Sequence, residues 1–479
     1  MKKIQLVNLP FFVWPLILLT VLILIRLASG FNGLYGQDSY EYLRYSRKWY
    51  EFFSNGRHPG DYFWPFNYPI YGAMLTLVVR DNIWALQLIS LISFVLTAGY
   101  LYRLVQLCYP RGENKPILYL NLIFILSPFM FQSAFLIMSD MLAVFFITAT
   151  VYHIIRYHRE IRRVDFLLTV FFATSAVMTR YASAVVLLIP VLFLVITFLR
   201  NFRLSYLLSG IVITALCLTP HFFIRWGHPA QFLSHNWLQS WSVKNWFFSE
   251  FTTVDGYQRY RFPNLIYSFS NIYHPGFIFL GIFLLFLTRK KFLMQAGKLM
   301  LILSIVLYAL FLAGIPFQNL RFLLATFPIV VVLFYLPFRK FFQWITKGKA
   351  WAVICVAGLI LIQSALIIKY SAGIYRANKL ERTISQSILS YPEKTIYTFG
   401  IDGALKAYGV KNPLINLWYE KIDRIEKNSL LLFNEEKFRV QWRNMNPMIN
   451  WEYIHAHARL EKLRGFPDGW ELFEVNTGK

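Results

Sequence analysis

Charge is what this sequence has least of. Only 15% of its 479 residues are charged and only 24 are acidic, whereas a soluble domain carries about a quarter charged residues. Together with 57% hydrophobic residues and a mean hydropathy of +0.46, this deficit places the chain in the membrane class. The shortage of acids leaves a formal net charge of +24, but no nucleic-acid partner is expected from it. The lysines and arginines sit mostly in short connectors between apolar runs, as the positive-inside rule requires. Cysteine is scarce too. Cys108, Cys217 and Cys355 lie in or beside apolar runs, which implies neither a disulfide framework nor a cysteine-based metal site. The sequence has no Asn-x-Ser/Thr triplet, which favours a bacterial inner membrane over the endoplasmic reticulum. There is no solenoid-period repeat and no low-complexity segment. The first apolar run, Phe11–Ala28, is too long for a signal-peptide core and lacks a small-residue cleavage site, so it reads as a retained anchor.

A membrane span needs about 20 mostly apolar residues. Apolar runs of this kind are Phe11–Ala28, Ile83–Leu107, Ile117–Leu136, Met141–Ile155, Phe166–Met178, Ala182–Leu199, Leu204–Ile224, Ile272–Leu287, Leu299–Ile315, Phe322–Pro337 and Trp351–Lys369. The expected fold is therefore an all-α polytopic membrane protein with roughly eleven spans. Lys2, Lys3 and the connectors Arg103–Lys115, Arg156–Arg163, Arg200–Arg203, Arg289–Lys298 and Arg339–Lys349 form one consistently basic side. That side is expected to be cytoplasmic. The membrane domain covers 1–370, with outer loops at 30–68 and 225–271. The tail, 371–479, ends on the outer side. Its strand candidates Ile396–Phe399 and Leu430–Phe433, with helical apolar spacing over Ala377–Leu389, predict a small soluble α/β domain.

Ionisable residues at the outer ends of spans carry whatever chemistry there is. Asp38, in Gly36-Gln37-Asp38-Ser39-Tyr40, opens an aromatic, partly cationic stretch suited to an interfacial helix. Its plain role would be capping that helix. Phe63-Trp64-Pro65-Phe66-Asn67-Tyr68-Pro69 returns to the membrane. An aromatic belt explains its rings but not its prolines. Asp140, between two apolar runs, is a solvated turn, a paired acid or a functional one. Arg180 sits between spans in the same way and could snorkel. Arg321 stands at the outer end of a span, with a guanidinium suited to bidentate phosphate binding. Asp38, Asp140, Arg180 and Arg321 come from four distant parts of the chain, and all are assigned to one face.

In this order of elements the sequence resembles the GT-C superfamily of integral membrane glycosyltransferases, in particular the branch of protein mannosyltransferases and aminoarabinose transferases. The resemblance covers about Phe11 to Lys369. It rests on an early outer-loop acid (Asp38), an aromatic-proline return (Trp64 to Pro69), an acid in the second outer turn (Ser139-Asp140) and a late Arg321-Phe322-Leu323-Leu324. It implies transfer of a sugar from a polyprenyl-phosphate donor to a lipid, glycan or protein acceptor, with inversion, at the periplasmic face of a bacterial inner membrane. Asp38 would be the general base. Asp140 would orient the acceptor or assist, and Arg180 and Arg321 would hold the departing phosphate. Tyr40, Arg57, His58, Tyr68, Tyr181, Arg259, Arg261 and Gln318 complete the substrate-binding candidates.

The sequence departs from the family at three points. Asp38 is followed by Ser39, where protein mannosyltransferases tend to carry Asp-Glu. The Lys-Pro-Pro element of aminoarabinose transferases is replaced by Asn67-Tyr68-Pro69, leaving Arg57 and His58 as substitutes for its lysine. Asp38-Ser39-Tyr40 is not Asp-x-Asp, so no obligatory metal is expected, and no cofactor. Two other classes handle similar substrates: a transporter or flippase of lipid-linked saccharides, and a polysaccharide polymerase or ligase. The acids lie at span ends rather than at the bilayer midplane, with no repeated halves, which disfavours the transporter. The long loop after the first span disfavours the polymerase.

Overall fold

The computed structural model describes residues 9–109, 116–287, 296–345 and 349–477. Lys2, Lys3 and parts of the basic connectors 103–115, 289–298 and 339–349 lie outside the described residues. The chain divides into two units. The first takes the described residues of Met1–Gly33, Tyr45–Phe247 and Asn264–Ala372, and the second takes Leu34–Arg44, Phe248–Pro263 and Gly373–Lys479.

The first unit is helical. In chain order it holds α1 (Leu9–Ser29), the later part of α2 (Gly36–Asn55), α3 (Asn67–Val79), α4 (Asn82–Cys108), α5 (Pro116–Leu120), α6 (Pro128–Phe135), α7 (Asp140–Glu160), α8 (Arg163–Thr179), α9 (Ser183–Arg200) and α10 (Leu204–Arg225). Helices Ala296–Ala313 and Phe327–Ile345, and the start of Lys349–Ile388, follow. Six helices among the described residues are long and apolar enough to cross a membrane. The pair Ile117–Ile125 and Pro128–Phe135, bent by 76°, raises the number to seven if it is one span. The chain is an integral membrane protein. Among the described spans the most buried are α7 and Leu320–Ile345, each with 83% of its apolar window inside the protein, while α10 and Val353–Ile388 have 11% and 6%. Their outward Leu, Ile, Val and Phe side chains are what a helix facing lipid presents.

Two local readings of the sequence differ from the structure. Ile272–Leu287 was expected as a span, but it is two short helices, Ser270–Tyr273 and Gly281–Phe286. Pro275 has no N–H to continue the ladder. Conversely, α3 was expected only as a stiff returning segment. Pro69 falls in its first turn, where a missing N–H costs nothing, so the proline starts this helix instead of breaking it. The breaks at Leu126–Ser127 and at Pro275–Gly276 close on each other. Phe129 N–H donates to the Gly276 carbonyl at 2.9 Å. A Cβ on Gly276 would stand 2.2 Å from the Phe129 ring. Irregular backbone at membrane depth is tolerated only when its polar groups are paired inside the protein.

Gly33 ends the first stretch of this unit. Its φ of +83° suits glycine, and a Cβ there would lie 2.7 Å from the Phe135 carbonyl. That close approach lets Ile137 N–H donate to the Gly33 carbonyl at 2.9 Å, and it fixes the strand-like turn that leads to Asp140.

The second unit contains a five-stranded sheet, ordered β4-β3-β5-β7-β6. Strands β3 (Ile396–Thr398), β4 (Leu414–Asn416) and β5 (Leu430–Phe433) are parallel. Strands β6 (Ala458–Gly465) and β7 (Glu471–Thr477) join antiparallel. Both strand candidates in the tail are strands. Every residue of β3 and β5 is buried, as central strands covered on both faces require. A separate hairpin, β1 (Glu250–Thr253) and β2 (Gly256–Arg259), comes from the second long loop. Gln441 donates to the Asp255 carbonyl at its tip, at 2.8 Å.

Candidate active site

Asp140 is the first residue of α7, where its carboxylate complements the helix dipole. It is 3% exposed. Two guanidinium groups meet it from elsewhere in the chain. Arg180, whose extended φ of −157° and ψ of 113° end α8, pairs with Oδ1. Arg321 pairs through Nε with Oδ2 at 3.1 Å. Arg321 is held at the start of a 3-10 turn, Leu320–Thr326, whose N-cap Asn319 accepts the Arg321 N–H at 3.0 Å. Its Nη1 donates to Met138 Sδ at 2.9 Å. The Arg180 guanidinium lies 5.1 Å from the Phe322 ring centroid. Two guanidiniums converging on one buried carboxylate make a cationic site of the kind that takes an oxyanion.

A third arginine is tied to Tyr181, the chain neighbour of Arg180. Arg225, 3% exposed at the end of α10, donates to the hydroxyl of Tyr181 at 2.7 Å and to the carbonyl of Tyr62. It lies 4.9 Å from the Phe66 ring centroid. The nearest recorded carboxylate, Asp61, is 3.9 Å away. The sequence reading used Arg225 only as a loop boundary. Its signal was the same as that of Arg321: an arginine at the outer end of an apolar run.

The structure thus brings Asp140, Arg180 and Arg321 together, and Tyr181, next to Arg180 in the chain, accepts from Arg225. Other first-unit candidates serve the scaffold. Tyr68 is fully buried, and its hydroxyl bonds the Leu86 carbonyl at 3.0 Å and Ser90 at 2.9 Å. Gln318 closes its turn onto the carbonyls of Leu312 and Ile315. Arg57 is exposed beside Glu51. His58 Nδ1 accepts the Gly60 N–H at 3.1 Å, and its ring packs 5.1 Å from Phe223.

The second unit holds the remaining candidates. Asp38 is half-buried in the first turn of α2. The turn entering that helix is closed by Ser39, whose hydroxyl accepts the Tyr35 N–H at 2.7 Å. Tyr40 is buried and donates its hydroxyl to Glu381. Burial, then the charge of Glu381, raises the Tyr40 pKa well above its ordinary value, so this phenol stays a donor. Arg259 on β2 pairs with Glu250 at 3.1 Å in an exposed position, and Arg261 lies beside the Phe262 ring.

The model of the family "Dolichyl-phosphate-mannose-protein mannosyltransferase" matches residues 65–224. That stretch runs from the aromatic-proline return through Asp140 and Arg180 to the end of α10. No curated protein is significantly similar in sequence. Among solved structures, ArnT from Cupriavidus metallidurans bound to undecaprenyl phosphate aligns with a TM-score of 0.61 at 13% identity, covering 96% of this chain and 98% of that one. The same protein in its apo state gives 0.57 at 13% identity, over 95% and 97%. Residues 65–224 thus match a mannosyltransferase family model, and the chain shares the fold of ArnT over nearly its whole length.

Proposed function

We propose that this protein transfers a sugar from a polyprenyl-phosphate carrier to an acceptor hydroxyl or amine, with inversion, at the non-cytoplasmic face of the membrane. The observation that carries this reading is the buried Asp140–Arg180–Arg321 cluster. Its two guanidiniums suit a lipid phosphate, and they would stabilise that phosphate as negative charge develops on departure. Asp38 takes the acceptor proton while the acceptor oxygen or nitrogen attacks the anomeric carbon. The bond from that carbon to the phosphate oxygen breaks with its electron pair, and free polyprenyl phosphate leaves. Asp140 holds the two arginines in place. Arg225, which donates to the hydroxyl of Tyr181 beside Arg180, adds a further guanidinium for the phosphate. ArnT, of the same fold, is known bound to undecaprenyl phosphate, which supports a polyprenyl-linked donor here.

The purified protein, in lipid nanodiscs with a polyprenyl-phosphate sugar and an envelope-lipid extract, should release free polyprenyl phosphate. One acceptor should gain the matching sugar mass by mass spectrometry. Donor that crosses the bilayer of a sealed vesicle without being consumed would identify a flippase instead.

The reading also requires the loops 30–68 and 225–271 and the tail 371–479 to lie on the non-cytoplasmic face. Ser54, Ser240 and Lys427 are exposed. With Cys108, Cys217 and Cys355 replaced, a single cysteine at each site should react with an impermeant thiol reagent in intact spheroplasts. A tail cysteine that labels only after lysis would require an even number of spans and put the tail inside.

A further inference from the structure

The segment 34–40 is gripped on both sides of Asp38 by the second unit's own residues. Asn378, 3% exposed, donates to the Leu34 carbonyl at 2.8 Å and shares its amide with the Tyr408 hydroxyl at 3.0 Å. One turn further along the same helix, Glu381 accepts from the Tyr40 hydroxyl. Asn378 and Glu381, at i and i+3, face the same way. Gln37 donates to Asp402 at 3.3 Å. Gly403 permits that approach, since a Cβ there would lie 2.7 Å from Gln37 Oε1 and 3.0 Å from Tyr40 Cβ. The Tyr40 and Tyr408 rings meet edge to face, with centroids 6.4 Å apart. Lys437 lies within electrostatic reach of Glu381, and desolvation lowers its pKa. The anchors at residues 34, 37 and 40 bracket Asp38 on the chain. A half-buried carboxylate that accepts from a buried phenol is costly to assemble.

We propose that Tyr40, Asn378 and Glu381 are positioning residues that fix the orientation of Asp38, so that the tail domain sets the rate of the reaction through the first turn of α2. This inference rests on the reading of Asp38 as the general base.

Reacting groups must be held to within about an ångström, and a misplacement of that size can cost about 10²-fold in rate. Tyr40→Phe keeps the ring and removes the donor. It should lower kcat by about 10- to 10²-fold and leave KM for the polyprenyl-phosphate sugar unchanged, because Arg180 and Arg321 are intact. Glu381→Gln keeps an acceptor oxygen for Tyr40 and should recover most of the activity that Glu381→Ala loses. In an Asp38→Asn background, Tyr40→Phe should cause no further loss, since the group being positioned is already silent. Rates are taken per donor-binding molecule, so that a variant that only folds poorly is not scored as slow. If Asp38→Asn is slow while Tyr40→Phe and Glu381→Ala keep normal kcat, the clamp is wrong and the base assignment stands. Losses that simply add in the Asp38→Asn background also overturn it. Full activity of Asp38→Asn removes both.

Discussion

Asp38→Asn should yield a folded protein that binds donor normally and transfers sugar about 10²–10⁴-fold more slowly, the contribution a general base makes. The substitution separates the two roles this position could have. Asn caps a helix about as well as Asp, so a purely structural Asp38 would tolerate it. The Ser39 hydroxyl meanwhile closes the turn before the helix by accepting the Tyr35 N–H. What Asn cannot do is take up a proton from the acceptor. Single-turnover transfer, measured with donor binding followed separately, gives the answer. Near-normal transfer by Asp38→Asn would show that the base lies elsewhere.

The second large effect belongs to Asp140→Asn, and it should fall first on stability. The side chains of Arg180 and Arg321 are only 16% and 21% exposed where they meet a carboxylate that is 2% exposed. Neutralising the carboxylate leaves two guanidiniums facing each other without their counter-charge. Breaking a buried pair from one side costs about 3–5 kcal/mol. Thermal unfolding in detergent should show the loss. Added polyprenyl phosphate should restore part of it, because an anion that binds only the folded state stabilises in proportion to its occupancy. Arg321→Ala should show the opposite balance, with modest destabilisation and a large loss of donor affinity. Arg321→Lys should fail as well, since lysine keeps the charge but loses the planar fork. An Asp140→Asn protein as stable as the parent, with or without lipid phosphate, would end the idea of a charge-balanced phosphate site.

The sequence made part of this site legible and hid the rest for physical reasons. Charges are so rare in the apolar runs that Asp140, Arg180 and Arg321 stood out individually, and the basic connectors assigned them to one face. Their mutual pairing was not readable, because it joins residues far apart in the chain through the packing of α7, α8 and the Leu320–Thr326 turn. Arg225 carried the same signal as Arg321 but sat beside Trp226 at a loop boundary, where snorkelling is an adequate explanation. Apolar composition marked most helices correctly. It failed where proline decides the outcome: the same residue begins α3 at Pro69 and breaks the run at Pro275, and only its position in the turn distinguishes the two. In the tail, β3 and β5 were visible as short β-rich runs. Strands β6 and β7 were not: β6, at the sheet edge, carries Arg459, Glu461, Lys462 and Arg464, and β7 carries Glu471 and Glu474, so composition alone reads both as loop.

The break at Leu126–Ser127 and the break at Pro275–Gly276 are closed by each other's backbone, with Phe129 seated where Gly276 has no side chain. These two stretches are therefore inherited as a matched pair. A chimera that joins this chain to a relative anywhere between them takes one half of the match from each parent. It then leaves an open carbonyl or a crowded ring inside the bilayer. A junction before the first break or after the second leaves this one match intact.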